Sequence, residues 1–295
     1  MGLSLGVDPL LPKICSFDCL YCEVGPTTEH TLERRAYRPT SEIKEALRQK
    51  LSEPNFHFEV LTFAGSGEPT LHKEFGALVT FARSLTDRPL CLLTNSSLLW
   101  RHDVREEVKP IDIVLPSLDA AREETFRRLN RPVKGLTVER LVEGLALLRE
   151  EMEGEMWLEI MFVAGVNDTE EEVEALAQAV AQIRPHRVQL NTVERPPAYG
   201  EAQAVPLSRL KELAQFFTPP AEVITREALK ARTPGRPVSA EEVLALLEHR
   251  PCPSEEIAQA LGYDFRELLA LLEEMVKAGQ LKTRVYKRRV FYHAA

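Results

Sequence analysis

Three of the chain's five cysteines fall within eight residues, Cys15-Ser16-Phe17-Asp18-Cys19-Leu20-Tyr21-Cys22, and the other two, Cys91 and Cys252, lie far away. Thiolates bind metals, and the spacing C-x3-C-x2-C puts three of them on one loop. A zinc site usually closes a tetrahedron with four Cys or His ligands. No fourth ligand is adjacent here, although His30 is near enough to be weighed. A cubane [4Fe–4S] cluster normally takes four thiolates, and three leave one iron open to a substrate or cofactor. Zinc and an open cluster both stand at this point. A disulfide framework does not, because five is odd in a long chain without a signal peptide.

Other residues with chemistry follow apolar runs. Gly65-Ser66-Gly67-Glu68-Pro69 offers two glycines that permit close backbone approach, a carboxylate for a cation, and Pro69 to fix the turn. Taken alone it reads equally well as an ordinary βα turn. Asn95, Ser117 and Asp119 are short polar residues placed to hold hydroxyls of a ligand or to cap the next helix, with Thr94 and Ser96 as lesser candidates. Arg122, Arg131 and Arg195 carry guanidinium forks suited to phosphate or carboxylate, whereas Arg127 and Arg128 read as a solvated helix end.

These residues need a scaffold. β-rich runs occur at 58–63, 90–93, 111–115, 157–163 and 187–190, with 3–7 a weaker sixth, and helical patterns lie between them at 41–51, 75–85, 138–150 and 169–183. Strands alternating with helices imply an α/β fold with a parallel sheet. Six units suit a partial (β/α)6 TIM-like barrel over residues 1–225, whose function gathers at the C-terminal strand ends. Breaker-rich sequence around Pro219-Pro220 and Thr233-Pro234-Gly235-Arg236-Pro237 predicts a linker at 226–237. Beyond it, helices at 239–249, 254–261 and 263–278 precede a hairpin-like pair at 281–286 and 290–292. That pattern over 238–295 resembles a small winged helix-turn-helix-like domain. Its third helix is acidic, with Leu268, Leu269, Leu271 and Leu272 expected in the core, which argues against DNA reading. The hairpin carries Lys282, Arg284, Lys287, Arg288 and Arg289, a basic tip for an RNA or protein partner.

Composition sets the outer bounds. Lys and Arg total 37 against 45 Asp and Glu, a net charge of −8, so the chain is no general polyanion coat. No apolar run approaches the roughly 18 to 20 residues of a membrane span, and a soluble, cytoplasmic protein is expected.

The cysteine triad, with Tyr21 before its third cysteine, resembles the signature of the radical S-adenosylmethionine (SAM) superfamily. Thr62 to Thr70 looks like that family's GEP-type motif, Leu92-Leu93-Thr94-Asn95-Ser96 follows in order, and Val114 to Ala120 is similar to its fourth strand end. Leu10-Leu11-Pro12-Lys13, Asn130-Arg131-Pro132 and Arg195-Pro196-Pro197 narrow the resemblance to Fe–S oxidoreductases like the archaeal tRNA wyosine-base synthases. The extra N-terminal cysteines of that type have no counterpart before Cys15, which leaves the substrate open.

The resemblance implies that Cys15, Cys19 and Cys22 hold a [4Fe–4S] cluster and that its open iron binds SAM. One electron then cleaves SAM to methionine and a 5′-deoxyadenosyl radical. It implies SAM contacts from Tyr21, Gly65, Gly67, Glu68, Pro69, Asn95, Ser117 and Asp119, adenine packing near 163–166, and a catalytic or anion-holding part for Arg131. A low-potential electron donor of the flavodoxin or ferredoxin type would be a partner, and RNA, with tRNA foremost, the substrate. A peptide or small metabolite is the alternative substrate, and an Fe–S redox-sensing DNA-binding regulator the alternative class.

Overall fold

In a computed structural model of the chain, residues 2–54, 56–218, 220–224 and 237–295 are described. All but the last residue of the expected linker therefore lies outside the described residues. The first unit contains β1 (Ser4–Val7), β2 (Ile14–Cys15), β3 (Glu29–His30), α1 (Thr40–Ser52), β4 (Val60–Phe63), α2 (Phe75–Leu85), β5 (Leu90–Thr94) and α3 (His102–Val108). It continues through β6 (Ile113–Pro116), α4 (Glu123–Leu129), α5 (Val138–Glu151), β7 (Glu155–Phe162), α6 (Glu170–Ile183), β8 (Arg187–Thr192), α7 (Leu207–Leu213) and β9 (Glu222–Val223).

Seven strands form one parallel sheet in the order β1-β4-β5-β6-β7-β8-β9, so each crossover moves the chain one place along the sheet. The sequence predicts six; the seventh, β9, has two residues, too few to show any alternation. The sheet is open, with β1 and β9 at its edges.

Alternation along the strands sorts side chains onto two faces. Met156, Leu158, Ile160 and Phe162 of β7 enter the main core beneath the helices, with Leu61, Phe63, Leu90, Leu92 and Val114. On the other face Val60, Cys91 and Leu115 form a second cluster with Ile113 and Trp157. Cys91 is thus a small buried hydrophobe. Higher on that inner face stand half-buried Glu159 and Met161. Helix starts carry their own signals: Thr137 and Thr169 accept backbone N–H bonds at the N-caps of α5 and α6, and three acids fill the first turn of α6.

The second unit contains α8 (Ala240–His249), α9 (Ser254–Leu261), α10 (Phe265–Lys277) and the antiparallel pair β10 (Leu281–Tyr286) and β11 (Arg289–Ala294). It has its own core, including Val243, Leu247, Cys252, Ile257, Leu268, Leu272 and Met275. Leu269 and Leu271 flank that stripe half-buried rather than filling it. The hairpin turns through Lys287 and Arg288, both at positive φ (45° and 62°), as a tight two-residue turn demands.

The two units touch. Arg195 bonds Glu23 on the cysteine loop (2.8 Å) and Glu256 of α9, which also meets Arg250. Lys287 Nζ donates to Val193 O (2.8 Å) and Arg284 Nη1 donates to Pro197 O (3.3 Å), while within the second unit Arg289 lies 3.6 Å from Glu255 of α9. Three of the five hairpin cations expected to await a partner are therefore engaged within the chain. The ring of Tyr286 packs with Leu20, Leu129, Val163 and Val193 at the C-terminal ends of the strands.

Arg195→Ala leaves Glu23 without its cation and Glu256 with Arg250 alone, at a cost of about 1.5–3 kcal/mol. Hydrogen exchange should accelerate at 23–26 and in α9 while β4 to β7 stay protected. Unchanged exchange at both sites would rule Arg195 out as the tie.

Candidate active site

The site lies at the C-terminal ends of the strands, where the chain leaves the sheet after β1. β2 and β3 pair for two residues each, Ile14 with Glu29 and Cys15 with His30, and bracket the cysteine loop. Asp18 N donates to Asn130 O and Leu20 N to Leu129 O, which ties the loop to the end of α4. The three thiols are free and half-buried. Burial pushes the Cys15 thiol up to about 12 and that of Cys19 well above its usual range, so the thiolates need a positive partner. His30 does not supply a fourth ligand: its Nε2 bonds Ser16 O at 3.0 Å. Among the described residues, the one group of three ligand atoms within 4.8 Å of one another is the exposed set His102, Glu106 and Glu151. The three thiol sulfurs therefore do not all lie within 4.8 Å of one another, whereas the edge of a zinc–thiolate tetrahedron is about 3.8 Å for Zn–S bonds of about 2.3 Å.

The glycine loop after β4 is shaped by contact. A Cβ on Gly65 would stand 2.1 Å from the Asp8 carboxylate, and one on Gly67 1.9 Å from Ile14 O. Asp8 in turn accepts from Ser66 N (3.0 Å) and Ser66 Oγ (2.9 Å). Pro69 opens a short 3-10 turn. Glu68 does not present its charge outward as the sequence suggests. It is 1% exposed, and its carboxylate accepts from Thr70 N, Thr70 Oγ1, Thr94 Oγ1 and Asn95 N at 2.6–3.1 Å. Asn95 then reaches from β5 to the cysteine loop, donating to Ser16 Oγ (2.9 Å) and Cys15 Sγ (3.4 Å).

Past β6, Ser117 is half-buried, and its hydroxyl makes no protein hydrogen bond among the described residues. Asp119 is buried and fully bonded: Oδ1 accepts from Met161 N (2.9 Å), while Oδ2 accepts from Asn130 Nδ2 (2.7 Å) and Tyr21 OH. Burial raises the pKa of Asp119 and of Tyr21. Arg131, read as free to hold an anion, is stacked 4.1 Å from the Tyr199 ring centre and paired with Glu201 (2.8 Å). Arg122 is exposed at the start of α4, and Arg195 belongs to the contact between units.

Several residues carry roles that the sequence reading did not assign. Asn167 donates to Asp119 O (2.8 Å) and accepts from Val163 N, and Glu172 accepts from Ala121 N (2.6 Å), fixing the β6 and β7 ends together. Asn130 Oδ1 is buried with no partner among the described residues, an acceptor beside the thiols. Lys13 is 5% exposed against Cys22. Glu159 faces the inner surface, where Asn191 Nδ2 bonds it (2.6 Å) and burial, with Asp119 and Glu23 nearby, raises its pKa to about 7. An acid in the middle of a β-rich strand was the available signal.

Two predictions follow from this geometry. A carboxylate whose folded pKa lies above its unfolded value of 4.5 favours folding while protonated, and that contribution disappears as pH rises through about 7. The native chain should therefore lose stability between pH 4.5 and about 7 relative to Glu159→Gln, read as denaturation midpoints across that range. Parallel profiles for the two chains would exclude Glu159 as the source. Gly67→Ala must displace Ile14 and with it Cys15, costing about 1–3 kcal/mol. Gly6→Ala, whose Cβ meets nothing within 4 Å, serves as the tolerated control in the same urea titration.

Comparison with known proteins bears on this arrangement. The family model for the radical SAM superfamily matches residues 10–180. The chain is 30% identical over 300 residues to a UPF0026 protein of Methanocaldococcus jannaschii, an alignment covering 99% of this chain and 92% of that one. It is 31% identical over 288 residues to a protein named GTPase Obg from Brachyspira hyodysenteriae, covering 97% of this chain but 42% of the relative, so it spans less than half of that protein. In fold it is similar to a radical SAM methyltransferase from Sphaerobacter thermophilus (TM-score 0.57, 17% identity, 77% of this chain and 68% of that one). It is also similar to native anSMEcpe with bound AdoMet (TM-score 0.54, 18% identity, 75% and 63%).

Proposed function

Because the chain belongs to the radical SAM superfamily, we propose that it is an enzyme that reductively cleaves SAM at a [4Fe–4S] cluster carried by Cys15, Cys19 and Cys22. The observation that carries this is the donor set: three thiols on one loop that do not close to the spacing of a zinc site, His30 turned to Ser16 O instead, and Asn130 Oδ1 beside them without a protein partner among the described residues. When bound, the cluster supplies the electron that breaks a C–S bond of SAM, yielding methionine and a 5′-deoxyadenosyl radical.

The chain's own groups bind and orient. Backbone atoms of Gly65 to Gly67, rather than the buried Glu68 carboxylate, face an ammonium. Ser117 Oγ and the Asn95 amide serve hydroxyl or carboxylate groups, and Tyr21 with 163–166 flanks the adenine. Pro69 and Asp119 hold this frame. The electron comes from a low-potential protein of the flavodoxin or ferredoxin type.

The division into 1–225, a linker at 226–237 and a winged-helix-like unit at 238–295 is supported by the separate core of the second unit. For the substrate we favour RNA, tRNA foremost, approached beside the hairpin where Lys282 and Arg288 stay exposed. The docking of Tyr286 at the strand ends favours a second reading, a peptide or small metabolite.

Anaerobic reconstitution should load about four irons per chain, and Cys19→Ala should lose them. Stoichiometric zinc in the native chain would overturn the assignment. With dithionite, the loaded enzyme should form 5′-deoxyadenosine, and a rise in yield with bulk tRNA but not with a small-molecule extract selects RNA. The reverse selects the second reading.

A further inference from the structure

We infer that the three cysteine sulfurs are matched one to one with side-chain donors, and that the charged donor, Lys13, sets the reduction potential of the cluster they hold. This rests on the cluster assignment above. Cys15 Sγ lies 3.4 Å from Asn95 Nδ2, Cys19 Sγ 3.5 Å from Asn130 Nδ2, and Cys22 Sγ 2.6 Å from Lys13 Nζ. The donors come from three places: just before β2, just past β5, and the C-cap of α4. Both amides are aimed by other bonds, Asn95 through Ser97 N and Asn130 through Asp119.

Lys13 differs in charge and in company. It is buried, and its ammonium donates to Gly25 O (2.6 Å) besides the sulfur. Among the described residues no carboxylate stands within ion-pair distance of it. Asp18, on the same loop, is taken up by Thr27 N (2.7 Å) and Tyr199 OH (2.6 Å). A buried cation without a counter-carboxylate is costly unless negative charge comes from elsewhere, and thiolates carrying a cluster supply it. Reduction by one electron, from the low-potential donor protein in the cell, adds one negative charge to the cluster. A cation in contact with a ligating sulfur favours that state, and N–H donors to sulfur act in the same direction. Lys13 is therefore a positioning residue that makes the cluster easier to reduce.

The test is a mediated, EPR-monitored redox titration of the reconstituted full-length chain and its Lys13→Gln, Lys13→Arg and Asn130→Leu variants, with dithionite as reductant and iron content measured for each. Lys13→Gln should move the midpoint to more negative potential, Asn130→Leu should move it less, and Lys13→Arg should stay near the native value. An iron-loaded Lys13→Gln chain at the native midpoint overturns the inference and leaves the cluster assignment intact. If Lys13→Gln fails to load, Lys13→Arg decides: a native midpoint supports the role of charge, and a shift as large as that of Asn130→Leu overturns it. A native chain that takes up no iron overturns the cluster assignment and this inference with it.

Discussion

A carboxylate buried at position 68 governs where the cysteine loop can sit. Burying a charge without partners is prohibitive, and Glu68 resolves this by accepting from Thr70, Thr94 and Asn95. Those donors lie on the turn after β4 and the end of β5, so neither end can move without stranding a polar group. Asn95, fixed by its own backbone bond to Glu68, then reaches Ser16 and Cys15. Beside it, the missing side chain of Gly67 lets Ile14 O approach. The first thiol is located by a carboxylate more than fifty positions along the chain.

Asp119 does the same on the other flank. It gathers Tyr21 from the cysteine loop, Asn130 from the end of α4 and Met161 from β7, and Asn167 closes the circuit through the Asp119 carbonyl. The two acids form the frame and leave Ser117 Oγ and Asn130 Oδ1 without protein partners among the described residues. A site built in this way keeps its ligand-facing groups few and its supports satisfied.

Much of this was legible in the sequence, for physical reasons. Runs with strand composition and amphipathic helices announce the parallel sheet, and strand ends are where βα proteins place chemistry. The cysteines and the motif around Gly65 to Pro69 were visible because clustering of rare or special residues is a local signal. Direction was not. Whether Glu68 points inward or outward depends on Thr94 and Asn95, which local pattern cannot bring together. Lys13 and Arg131 look alike as isolated cations, yet one is buried on a thiol and the other lies on Tyr199 beside Glu201. The hairpin cations read as free for the same reason, since their partners at Val193, Pro197 and Glu255 lie on distant elements.

The order of these parts along the chain has a consequence for biosynthesis. Synthesis and folding proceed from the N-terminus, so the ligands at positions 15, 19 and 22 emerge before almost everything that shelters them. Asn95 appears only after three further strands, β3, β4 and β5, are made, and Asn130 after a fourth, β6. Until then the loop has its lysine but neither amide, no frame, and no inner face behind it. The thiols of the nascent chain are open to oxidants and to stray zinc while residues 23–130 are being made. Assembly of the centre waits on segments made well after the ligands themselves.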